Sequence, residues 1–125
     1  MSIPSEMIQA LRNQIKDADG YLPIPPEYNR STSSAMKNTL DYFLEEYYFK
    51  PSAIVSYPLG SFGGINATQQ LRLVFAELST LSIPSSFSIP HVHTVFGNDG
   101  ILLDESYDRR VVRFFKWYIE AFEKQ

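Results

Sequence analysis

Hydrophobic residues recur at helical spacing in four stretches of the chain. Residues 5–18 place apolar side chains on one face, with Ser5 as a plausible N-cap and Asp19-Gly20 as the stop. Further amphipathic helices are predicted over residues 35–48, 67–79 and 105–122. The second stretch carries the stripe Met36, Leu40, Phe43, Leu44 and Tyr47, and the last carries Val111, Phe115, Tyr118, Ile119 and Phe122. The pattern therefore predicts four helices.

Short apolar segments between these helices predict three strands. Residues 21–24 form the first, which Pro23 confines to an edge because proline cannot donate to a sheet ladder. Residues 53–57 are apolar and β-branched, which is typical of a strand covered on both faces. Prolines interrupt residues 81–95, so we expect only a short strand near residues 87–89. Alternating helices and strands predict one α/β domain over residues 1–125, with a parallel sheet and helices on both faces.

Composition excludes several function classes. A net charge of -3 argues against non-specific nucleic-acid binding, which needs a basic face. The absence of cysteine excludes disulfides, thiolate metal sites and cysteine nucleophiles. No apolar run approaches the ~20 residues of a membrane span, and residues 1–6 do not resemble a signal peptide, so we expect a cytoplasmic protein without membrane partners. His91 and His93 have no adjacent acidic residue, and we predict no metal site there.

Two loops follow predicted strands at the carboxyl edge of the sheet, where ligands bind in such folds. The first loop, residues 26–34, brings a carboxylate, a phenol and an amide in succession. The glycine loop, residues 57–64, precedes a helix, so its backbone N–H groups can approach an anion or a carbonyl edge. Each loop taken alone fits an ordinary turn better than a ligand site. Their common edge predicts a shared pocket.

These loops carry the motifs by which the chain resembles a known family. Residues 26–31 read Pro-Glu-Tyr-Asn-Arg-Ser and residues 36–41 read Met-Lys-Asn-Thr-Leu-Asp, which resembles the PEYN-x-S…LKN-x-xD signature of NADPH-dependent FMN reductases. Residues 50–51, 55–57 and 60–64 resemble the same family's KP…VS…G-x-x-GG segment. The resemblance covers nearly the whole chain.

The resemblance implies a flavodoxin-like fold that holds FMN at the carboxyl edge of the sheet. NADPH or NADH would supply the hydride, and a small-molecule electron acceptor would receive it. The implied cofactor-binding residues are Pro26, Glu27, Tyr28, Asn29, Arg30, Ser31, Ser56, Tyr57, Gly60, Gly63 and Gly64. The hydride chemistry belongs to the cofactor, so no side chain is assigned as catalytic.

The chain departs from the family at its start, where the family has a strand and a Gly-Ser-x-Arg-x-x-Ser loop that grips the FMN phosphate. We therefore expect an N-terminally truncated version of the fold, with three strands, four helices and weak or lost phosphate anchoring. Residues 21–24 then become a bare edge, open to pairing with another chain, and we expect a homo-oligomer. Two hypotheses remain: an NAD(P)H-dependent flavin oxidoreductase, and a non-catalytic flavodoxin-like fragment that acts through homo- or hetero-oligomerisation.

Overall fold

Parallel strand pairing forms the centre of the fold in the computed structural model, which describes residues 5–124. Residues 1–4, part of the segment tested above for a signal peptide, lie outside the described residues. The elements are α1 (Glu6–Asp17), α2 (Ser34–Asp41), a 3-10 helix (Glu45–Tyr47), β1 (Pro51–Ser56), α3 (Ile65–Glu77), β2 (Leu81–Ser88), α4 (Val92–Val95) and α5 (Ser106–Glu123).

Residues 21–24 lie beside β1, on the side opposite β2. The Tyr21 N–H donates to the Pro51 carbonyl at 2.9 Å, and the Tyr21 carbonyl accepts from the Ala53 N–H at 3.0 Å. The Pro23 carbonyl accepts from the Val55 N–H at 3.1 Å. Because Pro23 has no N–H, the segment forms an isolated parallel bridge rather than a full ladder. The described residues therefore contain two strands rather than the three expected, and residues 21–24 run parallel to β1 on the side opposite β2.

Helices cover both faces of this sheet, as predicted. Successive residues of β1 point to opposite faces, so Ile54 packs under α2 and α3 while Ala53 packs under α5. The first cluster also receives Ile8, Leu11 and Ile15 of α1. Burial of these two apolar clusters supplies the main driving force for folding.

The helix predicted over residues 35–48 is wrong beyond Asp41. The Glu46 carboxylate accepts the Leu44 N–H at 3.1 Å, which competes with a helical hydrogen bond. Leu44 leaves helical geometry with φ -142° and is 51% exposed, whereas Phe43 and Tyr47 are buried. The chain therefore ends α2 early and re-enters the core through the 3-10 helix.

The predicted strand near residues 87–89 is too short, because β2 begins at Leu81. Pro84 is tolerated at a register irregularity, where pairing steps from Ser52↔Ser82 to Ile54↔Ser86. The Arg72 guanidinium donates to the carbonyls of Ile83 (3.1 Å) and Pro84 (2.8 Å) at this point. Arg72 therefore supplies hydrogen bonds to carbonyls at the irregularity. The periodicity of the strand does not reveal this partner, because Arg72 belongs to α3. Two further bounds differ slightly, since β1 spans Pro51–Ser56 rather than 53–57 and α3 begins at Ile65 rather than 67.

The buried face of the last helix is also rotated relative to the prediction. Tyr107, Phe114 and Tyr118 are buried, whereas Phe115 and Ile119 are largely exposed. The Tyr118 hydroxyl donates to the Tyr21 carbonyl at 2.9 Å, and the Phe114 ring packs on Phe87 with centroids 5.5 Å apart. These contacts fix the rotation of α5 about its axis.

The short helix α4 was not predicted, so the described residues contain five α-helices rather than the four expected. It places His91 and His93 at a helical turn, not on a strand. Within residues 5–124 no helix is long and apolar enough to cross a membrane.

Candidate functional site

The first loop folds back on itself in a tight turn. The backbones of Tyr28 and Ser31 exchange two hydrogen bonds, of 2.8 and 3.0 Å. Between them, Asn29 and Arg30 have φ of 51° and 67°, and two successive positive values are the pattern of a type I′ turn. Asparagine tolerates this region but arginine seldom adopts it. Backbone strain of this kind clusters at ligand sites.

Gly63 and Gly64 give the glycine loop a conformation that other residues rarely adopt. Their φ values are +65° and +70°. A Cβ on Gly63 would overlap the Ser88 hydroxyl, and one on Gly64 would lie 2.8 Å from the Ser56 Cβ. Gly60 differs, because a Cβ there would meet nothing within 4 Å. Glycine at position 60 is therefore not required by the protein's own packing.

Two serines at the ends of the strands fix the orientation of this loop. The hydroxyls of Ser56 and Ser88 both donate to the Gly63 carbonyl, at 2.5 and 2.6 Å. Because a peptide group is planar and trans, the Gly64 N–H points the opposite way, away from both serines. The ends of β1 and β2 thereby present a fixed backbone donor on the outer side of the loop.

Both loops line one cleft of about 440 Å³, so the structure brings together the two segments that the sequence placed at one edge. Six of the eleven predicted site residues line it. They are Pro26, Glu27, Tyr28, Tyr57, Gly60 and Gly63. The other five do not: Asn29, Arg30 and Ser31 complete the turn beside the cleft, while Ser56 ends β1 and Gly64 is the N-cap of α3.

The prediction missed four residues that line the cleft, namely Pro58, Leu59, Phe62 and Val92. The first three lie inside the glycine loop. Only glycines and polar groups of that loop were predicted as site residues, so these three were not selected. Val92 belongs to α4. Its backbone N–H donates to the Pro58 carbonyl at 3.4 Å, and the neighbouring His91 N–H donates to the Gly60 carbonyl at 3.3 Å. No sequence signal linked α4 to the glycine loop.

Aromatic side chains surround the mouth of this cleft. Tyr28 is 61% exposed and Phe62 is 83% exposed, and Tyr57, which also lines the cleft, is 39% exposed. Large apolar rings that remain open to solvent around a cavity mark a ligand site, because their flat faces can stack on a planar ring.

Glu27 contributes a buried carboxylate oxygen. Its Oε1 atom has no hydrogen-bond partner among the described residues. A buried polar atom without a partner is costly, so a ligand N–H or O–H that bonded to Glu27 Oε1 would be favoured. The described residues contain no group of three acidic, histidine or cysteine side chains that could hold a metal ion. The arrangement suits a flat heterocycle with a ring N–H.

Comparison with known proteins gives this geometry a family. The sequence profile of a family described as NADPH-dependent FMN reductase matches residues 2–94. An NADPH azoreductase of a Bacillus species is 30% identical over 122 residues, covering 95% of this chain and 67% of that protein. A quinone reductase of Pseudomonas putida is 31% identical over 124 residues, covering 91% of this chain and 66% of that protein.

A solved structure shows the same architecture. The flavoenzyme NAD(P)H:(acceptor) oxidoreductase of Paracoccus denitrificans superposes with a TM-score of 0.83 at 25% identity, covering 95% of this chain and 69% of that one. An oxidoreductase of Corynebacterium diphtheriae superposes with a TM-score of 0.79 at 12% identity, which supports the fold alone. The chain spans about two thirds of the length of these relatives.

Proposed function

The chain belongs to the NADPH-dependent FMN reductase family, and on that premise we propose that it binds FMN in the cleft between the first loop and the glycine loop. The proposed activity is transfer of a hydride from NAD(P)H, through FMN, to a small-molecule acceptor. The observation that carries the proposal is the meeting of both family motifs in one cleft of about 440 Å³.

The residues present fit the isoalloxazine ring. Tyr28 and Phe62 offer exposed aromatic faces at the cleft, and the unpartnered Glu27 Oε1 can accept the ring N3–H. The glycine loop offers backbone N–H groups whose direction is set by Ser56 and Ser88. When bound, FMN accepts the hydride from the nicotinamide and passes reducing equivalents to the acceptor.

The protein's own part in this reaction is placement and electrostatics. Backbone N–H groups of the glycine loop, placed at the N1 and C2-carbonyl edge of a bound flavin, would stabilise negative charge there without reorganising during the reaction. The side chains of Leu59 and Val92 add apolar surface to the cleft lining, against which a flat ring could pack. No described side chain needs to act as a general acid or base.

The names of the relatives indicate the class of acceptor. Two of them act on quinones or azo compounds, as their names state. On the strength of these names we propose a quinone-like acceptor for this chain. We also retain the cytoplasm as its proposed location, where NAD(P)H would serve as the donor.

Titration of the purified chain with FMN, followed by flavin fluorescence, tests the binding step. We expect saturable binding and a shifted visible spectrum, followed by bleaching when NADPH is added. Glu27→Gln removes the carboxylate without changing its size, and we expect about tenfold weaker FMN binding from the lost charge-assisted hydrogen bond. Tyr28→Ala should also weaken binding, whereas Tyr42→Ala, at a comparably exposed tyrosine outside the cleft, should not. Absence of binding at millimolar FMN would refute the proposal.

A second candidate function is assembly through the sheet edge formed by residues 21–24. The inner backbone groups of Tyr21 and Pro23 bond to β1, so those of Leu22 and Ile24 point outward. No described residue pairs with this outer side. Pro23 faces inward, so it does not remove the outward donors that another strand would use.

The opposite edge of the sheet, formed by β2, is by contrast protected from pairing with another strand. Along β2, Arg72 occupies the carbonyls of Ile83 and Pro84, and Arg110 donates to the Ser88 carbonyl at 3.0 Å. A proline, a register irregularity and arginine side chains are the usual means of blocking edge-to-edge pairing. The contrast favours residues 21–24 as the edge at which a second copy would pair.

Sedimentation velocity tests the assembly role. We expect a concentration-dependent dimer that Ile24→Lys converts to monomer, because a charged side chain disfavours pairing at an edge. Ile101→Lys, at another exposed isoleucine, serves as the matched control. A folded monomer at every concentration would refute this candidate without affecting the FMN proposal.

A further inference from the structure

A second cavity of about 440 Å³ runs between α3 and the outer side of β2. Its polar lining consists of Thr68, Gln69 and Arg72 from α3 and of Ser86 and Ser88 from β2, together with Ser56 at its inner end. No aspartate or glutamate lines it. The cavity therefore combines one positive charge with several neutral hydrogen-bond donors.

Arg72 is the only charged residue in this lining, and its position is fixed. Its guanidinium donates to the carbonyls of Ile83 (3.1 Å) and Pro84 (2.8 Å), which neutralise none of its charge. Neither ion pair among the described residues includes Arg72. A guanidinium has five N–H donors, so two bonds to carbonyls leave others for a ligand.

The cavity adjoins the cleft described above. Phe62 and Gly63 line both, so the tip of the glycine loop forms a shared wall. Arg72 follows Gly64 by eight residues along α3, which corresponds to about 12 Å along the helix axis.

We propose that this cavity is an anion subsite, in which Arg72 binds a phosphate or sulfonate group carried by the electron donor or by the acceptor. The inference deepens the proposed function, since it assigns a specificity-determining residue next to the proposed FMN cleft. A planar guanidinium matches the oxygens of such groups in a bidentate arrangement, and neighbouring hydroxyls of Ser86 and Thr68 can donate to the remaining oxygens.

Calorimetric titration of the chain without added FMN tests this subsite independently of the flavin. The acceptor arm compares anthraquinone-2-sulfonate with neutral 2-(hydroxymethyl)anthraquinone, and the donor arm compares NADPH with NADH. The variants are Arg72→Gln, which removes the charge, and Arg72→Lys, which keeps it. Arg109→Gln, an exposed arginine that does not line this cavity, controls for net charge.

We expect Arg72→Gln to weaken binding of an anionic probe by about fivefold or more, the usual range for a lost charge-assisted hydrogen bond. Arg72→Lys should retain part of that affinity, and Arg109→Gln should retain nearly all of it. The neutral quinone should bind every variant alike, which shows that Arg72→Gln remains folded. Loss confined to the sulfonate assigns the anion to the acceptor, and loss confined to the dinucleotides assigns it to the donor.

Equal binding of all probes by Arg72→Gln and by the unchanged chain would overturn the subsite. That result can coexist with saturable FMN binding, in which case the proposed function stands without this inference. Conversely, sulfonate binding that depends on Arg72 while FMN fails to bind would refute the proposed function and leave the anion subsite intact.

Discussion

Replacing Gly64 by alanine separates what the fold requires of the glycine loop from what a ligand requires. At Gly64 an alanine must adopt φ near +70°, which costs about 1–2 kcal/mol for a residue with a Cβ. Its Cβ would also lie 2.8 Å from the Ser56 Cβ, well inside ordinary contact, and Ser56 belongs to a buried strand that cannot yield freely. Relief of such an overlap typically costs a further 1–3 kcal/mol, roughly.

We therefore expect Gly64→Ala to lower the free energy of unfolding by about 2–5 kcal/mol. Gly60→Ala is the matched control, because its Cβ meets nothing within 4 Å and its φ is not in the positive range. It should change stability by less than about 0.5 kcal/mol, as for most unstrained surface changes. If FMN occupies the cleft, Gly60→Ala should nevertheless weaken FMN binding.

Urea denaturation followed by circular dichroism measures both variants against the unchanged chain. The decisive quantity is the shift of the midpoint at constant slope. A Gly64→Ala midpoint within error of the unchanged chain would show that the loop does not hold the conformation described here. A large loss in Gly60→Ala would show that the loop packs against something at that position.

Three further predictions concern buried tyrosines. Tyr118→Phe removes the donor to the Tyr21 carbonyl and should cost about 1 kcal/mol of unfolding free energy, and an unchanged urea midpoint would contradict this. Tyr47→Phe removes a buried hydroxyl that has no partner among the described residues, so stability should be unchanged or higher, and a clear loss would show that the hydroxyl is satisfied. Burial raises the pKa of Tyr21 and of Tyr118 to about 12. In the unfolded chain these hydroxyls release their protons at about pH 10. The stabilisation should therefore be fully present below about pH 10 and should be lost as the pH rises to about 12. Urea midpoints that stay constant across this window, in the unchanged chain, would refute the last prediction.

Much of the fold could be predicted because local patterns and tertiary packing agree over most of the chain. Ser5 caps α1 as expected, and the apolar positions of α3 face the core. The errors lie where a distant partner decides the outcome. The Tyr118 hydroxyl bond to residue 21 sets the rotation of α5, and Arg72 makes a proline tolerable inside β2. No periodicity within one segment reports such contacts.

The candidate site could be predicted to the level of its two loops but not of its full lining. Glycine and polar residues mark turns and ligand contacts, so residues 26–31 and 60–64 were identified. Leu59 and Phe62 line the cleft because the loop turns apolar side chains outward, and Val92 arrives from α4. Their contribution depends on the direction of the backbone and on the position of α4, which residue type alone does not report.

The hydrogen bond between Tyr118 and Tyr21 joins positions 97 residues apart along the chain. During synthesis, the segment at residues 21–24 leaves the ribosome long before its partner helix does. Its backbone bonds to β1 can form once residues 51–55 are available, but the bond from Tyr118 forms only after the intervening chain has been made. Nascent chains whose α5 has not yet left the ribosome should therefore be more sensitive to proteases at this strand than chains in which α5 has emerged.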